Sequence, residues 1–86
     1  MSYKIIWDKK PKEILQKLEP IISLRIYKKI DELIENPFFK IKKLKGIDAF
    51  SLRIGNYRVI LSVDVNKEII CILNIGHRKN IYKNLW

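Results

Sequence analysis

Only four of the eighteen basic residues are arginines, and three of those, Arg53, Arg58 and Arg78, fall from residue 53 onward. A guanidinium is planar and permanently charged, and it grips a phosphate through two parallel hydrogen bonds where an ammonium acts as a point charge. A lysine-heavy chain that places its forks in Leu52-Arg53-Ile54-Gly55-Asn56-Tyr57-Arg58-Val59 and in Gly76-His77-Arg78 points to an anion site. The competing reading makes them solvated strand residues or ion-pair partners, but beyond residue 37 the only acids are Asp48, Asp64 and Glu68. Tyr82 follows closely, where its ring either packs the C-terminal end or stacks on a base. Lys42, Lys43 and Lys45 suit surface contacts to phosphates. His77 neighbours Arg78, so strand alternation sends it to the opposite face, a place for a packed or orienting histidine rather than a general base.

Formal net charge is +9 and unevenly spread. Residues 1–36 hold eight basic and six acidic side chains, a difference of +2, whereas residues 37–86 hold ten and three, a difference of +7. A lysine-rich bias would raise charge everywhere and does not account for that asymmetry. The second part reads as a face for a polyanion, either nucleic acid or an acidic protein.

At 86 residues, 48% of them hydrophobic with seventeen isoleucines, the chain predicts a single domain over 1–86 with a compact core and no disordered tract. The single Cys71 excludes an internal disulfide, and its apolar run Ile69-Ile70-Cys71-Ile72-Leu73 predicts a buried structural thiol in a reducing, intracellular setting. The first residues lack a signal-peptide apolar stretch and no segment reaches membrane-span length, so the expectation is a soluble, cytoplasmic protein with no membrane contact.

The elements that must position these residues are legible in outline. Tyr3 to Trp7 predicts a first strand. Pro11 fits the first turn of a helix with Ile14, Leu15 and Leu18 on its apolar side. Pro20 separates it from a second helix, where Ile22, Ile26, Ile30 and Ile34 recur every four residues until Asn36-Pro37 stops it. Residues 40–46 read as a basic connector. Phe50 to Ile54, Tyr57 to Asp64 and Glu68 to Ile75 then predict three strands joined by Gly55-Asn56 and by Val65-Asn66-Lys67. The fold class is α+β: an N-terminal strand, an αα-hairpin, then an antiparallel meander with the helices packed on one face.

A two-residue turn at Gly55-Asn56 sets Ile54 opposite Tyr57, Leu52 opposite Val59 and Phe50 opposite Leu61, an apolar face for the helices. The other face then pairs Arg53 directly with Arg58. Like charges across a ladder destabilise it, so this pair calls for an anion. A tight turn centred near Asn66 would set Arg58 opposite Asn74 and Ile60 near Ile72, with Arg78 on the same side as Asn74.

In order and spacing, these segments resemble the RelE/ParE superfamily of bacterial and archaeal toxins, and the RelE branch more closely. The resemblance rests on the first strand, the helical hairpin, Leu44-Lys45-Gly46, Leu52-Arg53-Ile54-Gly55-Asn56-Tyr57-Arg58-Val59, and Ile75-Gly76-His77-Arg78 with Tyr82 after it. It implies a ribosome-dependent endoribonuclease that cuts mRNA in the ribosomal A site by 2′-OH attack on the adjacent phosphate. It implies Arg58 and Arg78 as transition-state stabilisers, Tyr82 as a substrate-orienting ring and Arg53 as a phosphate contact, with neither metal nor cofactor. It also implies an acidic antitoxin that wraps the toxin. RelE-type enzymes carry lysines on the strand where this chain has Ser51 and Arg53, so Lys43, Lys45 or His77 stands in as candidate acid or base. Two other readings stay open: a ParE-like toxin that inhibits DNA gyrase without nuclease activity, and a non-catalytic nucleic-acid-binding module.

Overall fold

The computed structural model describes residues 2–77. Its elements are β1 (Lys4–Trp7), α1 (Lys9–Lys17), α2 (Pro20–Asp31), a single 3₁₀ turn (Pro37–Phe39), β2 (Ile41–Lys43), β3 (Phe50–Ile54), β4 (Tyr57–Asp64) and β5 (Ile69–His77). The strands form one sheet in the order β1-β5-β4-β3-β2, with β1 parallel to β5 and every other pair antiparallel. Both helices cover one face, so the chain has the expected α+β architecture. The core joins Leu15 of α1 and Ile26 and Ile30 of α2 to Leu52, Ile54, Val59, Leu61, Ile70, Ile72 and Ile75 of the sheet. Each such side chain fully buried contributes about 1.5–3 kcal/mol.

The helices depart from the sequence expectation at their ends. Pro20 is the first residue of α2 rather than a separator, since its missing N–H costs nothing there. The isoleucine repeat holds only through Ile30. Leu33 N–H donates to the Ile30 carbonyl at 2.9 Å and Ile34 N–H to that of Asp31 at 3.2 Å, so the chain tightens into three-residue turns before Asn36-Pro37. That tightening swings Leu33 into the core and turns the Ile34 carbonyl toward β1, where it accepts from Tyr3 N–H at 2.7 Å.

The basic run 40–46 is not only a connector. Ile41–Lys43 forms the edge strand β2 against β3, in the register Ile41↔Leu52, Lys42↔Ser51, Lys43↔Phe50. The β3–β4 hairpin follows the predicted register throughout, including Arg53↔Arg58. Gly55 takes φ 57° at the first central position of its turn, a conformation that favours glycine.

The β4–β5 pairing differs from the tight-turn expectation in two steps. The loop between the strands has four residues, with Glu68 in the left-handed region at φ 56° and Asp64 Oδ1 accepting from Lys67 N–H, so Asp64 pairs with Ile69. A bulge then leaves Leu73 unpaired between Leu61↔Ile72 and Ile60↔Asn74. Each step shifts the register by one residue, which alone would reverse the faces. Together they restore the face and move Asn74 from Arg58 to Ile60. The bulge is also what lets Ile72 and Ile75, three residues apart, both face the helices.

Candidate functional site

The sheet face away from the helices carries Lys42 of β2, Ser51 and Arg53 of β3, Arg58 and Ile60 of β4, and Asn74 and Gly76 of β5. This face is not bare. The loop from Leu44 to Ala49, closed by a 2.9 Å hydrogen bond from Leu44 N–H to the Ala49 carbonyl, folds across it. A second, smaller core forms there from Ala49 and Ile60 with Leu44, Ile47 and Leu73. Its cover buries Ser51, only 5% exposed, and Asn74, only 7% exposed. Asn74 Oδ1 accepts from Ile75 N–H at 2.9 Å, which satisfies a backbone donor at the bulge. Sequence reasoning missed this second core, although its signal was present in Leu44, Ile47 and Ala49, apolar residues spaced through a basic segment.

The covered zone leaves the Gly55 end of the face to the two arginines. Arg53 is exposed, and its Nε reaches the Gly55 carbonyl at 3.5 Å, folding the side chain along its own hairpin. Arg58 is half-buried with its Nε out of reach of solvent, and it pairs across the ladder with Gly76. Two guanidiniums paired across adjacent strands, one half-buried in the sheet and one exposed along its hairpin, form a cationic pair able to hold a phosphate and to stabilise added negative charge on it. Gly76 precedes Arg78 by two residues; Arg78 and Tyr82 themselves lie outside the described residues.

The other sequence-predicted residues divide between faces. Lys42 pairs with Ser51 and so shares the arginine face, and Lys45 is exposed in the loop that folds over it. Lys43 shares the helix-side face with Phe50. Its ammonium lies 3.1 Å from Asp48 Oδ1 and 5.1 Å from the Phe50 ring centroid. Asp48, the acid nearest in sequence to Arg53, is thereby engaged by a lysine. His77 also takes the helix side, opposite Tyr57, with the two rings edge to face at 5.7 Å between centroids. Both placements follow from strand alternation, which sends neighbours to opposite faces.

Cys71 is half-buried rather than buried. Its thiol donates to Asp8 Oδ1 at 3.5 Å. Burial, aided by that hydrogen bond and the Asp8 charge, pushes the thiol pKa up and keeps it protonated. Among the described residues, no three of His, Cys, Asp and Glu come together as metal ligands. No described helix is long and apolar enough to cross a membrane.

Comparison with known proteins places these features in context. A family model described as the ParE toxin of the type II toxin-antitoxin system, parDE, matches residues 5–82. The RelE1 protein of Methanocaldococcus jannaschii is 39% identical over 82 residues, spanning 85% of this chain and 90% of that protein. The mRNA interferase toxin RelE of Escherichia coli K12 is 27% identical over 82 residues, spanning 92% and 86%. The archaeal RelE–RelB complex from Pyrococcus horikoshii contains a chain that superimposes with a TM-score of 0.81 at 30% identity, covering 91% of this chain and 97% of that one.

Proposed function

Because the chain belongs to the ParE toxin family of type II toxin–antitoxin systems and is a toxin of RelE type, we propose that it cleaves ribosome-bound mRNA in the A site. The ribose 2′-oxygen attacks the adjacent phosphorus in line. The P–O5′ bond breaks, leaving a 2′,3′-cyclic phosphate and a 5′-hydroxyl. One proton leaves the 2′-OH for a base, and one reaches the departing 5′-oxygen. The charge that builds on the phosphorane is met by cationic side chains: Arg58 from its half-buried position and Arg78 from the segment after Gly76. Tyr82 orients the substrate, and Arg53 holds a neighbouring phosphate. Arg53 cannot shuttle protons, because a guanidinium stays protonated. Of the candidate proton carriers, Lys45 is exposed in the loop that crosses the helix-free face, whereas Lys43 and His77 sit on the helix side. Proton transfer is therefore assigned to Lys45 or to a group of the ribosome. Lys42 and Lys45 contact the RNA backbone.

The single observation that carries this reading is the Arg53↔Arg58 pair on the helix-free face, which sets two guanidinium forks side by side where both can reach one phosphate. The names and complexes of the relatives support the class of substrate and an antitoxin partner. An acidic, partly disordered antitoxin would find a +9 surface and fold as it binds.

A cell-free translation reaction with cleavage mapping on ribosome-bound mRNA tests the proposal. Wild-type chain is expected to cut within the A-site codon, and Arg58→Ala to lower the rate by about 10²–10³, the usual cost of one transition-state donor. The replacement of the family's strand lysines by Ser51 and Arg53 favours one second reading, a gyrase-directed toxin without nuclease activity. Blocked gyrase supercoiling with no mRNA cleavage would establish that reading instead.

A further inference from the structure

The 3₁₀ turn Pro37–Phe39 holds two consecutive phenylalanines that the core does not use. Phe39 is 73% exposed, the most open of the large apolar side chains in the described structure, and Phe38 is 47% exposed. Neither hangs on a loose linker. Pro37 is buried, and Phe39 N–H closes the turn onto the Asn36 carbonyl at 3.4 Å. The Phe38 ring stands edge-on against Phe50, 5.7 Å between centroids at 71°. β2 leaves the turn directly and pairs with β3, the strand that carries Arg53.

The charges around this ledge match a polyanion. Lys40, Lys42, Lys43 and Lys45 fall within six residues. The Lys40 ammonium lies 5.8 Å from the Phe39 ring centroid and 3.1 Å from Glu32 Oε1. An open ring with an ammonium beside it and further lysines along the adjoining strand is a surface on which a nucleotide can be held twice, its base stacked on the ring and its phosphate near the cations. On α2 the most exposed apolar side chains, Ile21 and Leu24, are aliphatic, and the exposed Tyr27 ring is packed against Trp7 at 5.4 Å between centroids. Such a surface suits a protein, which distinguishes the two patches.

We propose that Phe39, on the turn that Phe38 fixes against Phe50 and with the Lys40 ammonium over its ring, is a base-stacking platform for single-stranded RNA at the β2 edge of the sheet. It rests on the reading of the chain as an RNA-directed toxin. The platform accepts any base, because every base presents a π-face, so it adds affinity and register without sequence choice.

The test is binding of a short single-stranded oligoribonucleotide carrying 5-iodouridine, followed by fluorescence anisotropy at several salt concentrations and by photo-crosslink mapping. Phe39→Ala is expected to weaken binding about five- to a hundred-fold and to remove the crosslink from the 37–40 peptide. The slope of affinity against salt should stay unchanged in that variant. Phe39→Trp restores binding, whereas Phe39→Leu, which keeps apolar area without a ring, does not. Lys42→Gln instead lowers the salt slope by about 0.7. Circular dichroism of each variant confirms that the fold is retained. The proposal is overturned if folded Phe39→Ala or Phe39→Leu binds RNA as wild type does. It is equally overturned if Phe39→Ala weakens binding of a polyglutamate peptide and not of RNA. Phe39-dependent binding without any mRNA cleavage would sink the nuclease reading and leave the platform standing. Cleavage by a chain whose RNA binding ignores Phe39 would do the reverse.

Discussion

Arg53 and Arg58 set two like charges directly opposite each other in one ladder. Directly opposed like charges cost a ladder a few tenths of a kcal/mol to about 1 kcal/mol, and here both are arginines on adjacent strands. Arg53→Thr is therefore expected to raise stability by roughly 0.2–1 kcal/mol, measured by urea denaturation at low salt, while weakening RNA binding. An unchanged denaturation midpoint would mean that the folded chain already neutralises the pair. The pairing itself was legible, since a Gly-Asn turn between two apolar alternations leaves one plausible register. The burial of Ser51 and Asn74 was not, because it depends on the adjoining loop, Leu44 to Ala49, folding back across the sheet rather than away from it.

At the scale of elements, β5 carries the least obvious constraint. Its bulge at Leu73 re-phases the strand so that Ile70, Ile72 and Ile75 all reach the core, and so that Gly76 lands beside Arg58. Deleting Leu73 would force either a lost ladder or the exposure of Ile75 and His77 on the wrong face. Loss of the cooperative thermal transition, followed by circular dichroism, is the expected result; a chain that melts as wild type would show that the bulge is dispensable. The end of α2 teaches a related lesson. The isoleucine period predicts helix as far as Ile34, yet tertiary contacts of Leu33 and the Ile34 carbonyl favour a tighter chain after Asp31. β2 was hidden for another reason: a three-residue edge strand rich in lysine has no alternation long enough to read, and its charges protect the open edge.

For the molecule as a whole, the +9 charge acts over distance. Association with an acidic antitoxin is expected to slow about ten-fold or more from low to physiological salt, as measured by stopped-flow fluorescence. A salt-independent rate would point to an encounter led by apolar contact. The sequence by itself determined the fold class, the helix-side core stripe and the Arg53↔Arg58 opposition, because all three follow from local periods and one short turn. Only the tertiary structure decided which face each lysine takes, that His77 packs on Tyr57, that a second core roofs part of the helix-free face, and that Phe39 stands open beside a braced Phe38. Those depend on a bulge, a four-residue loop and returning segments. In a sheet of period two, a single inserted residue reverses everything that follows.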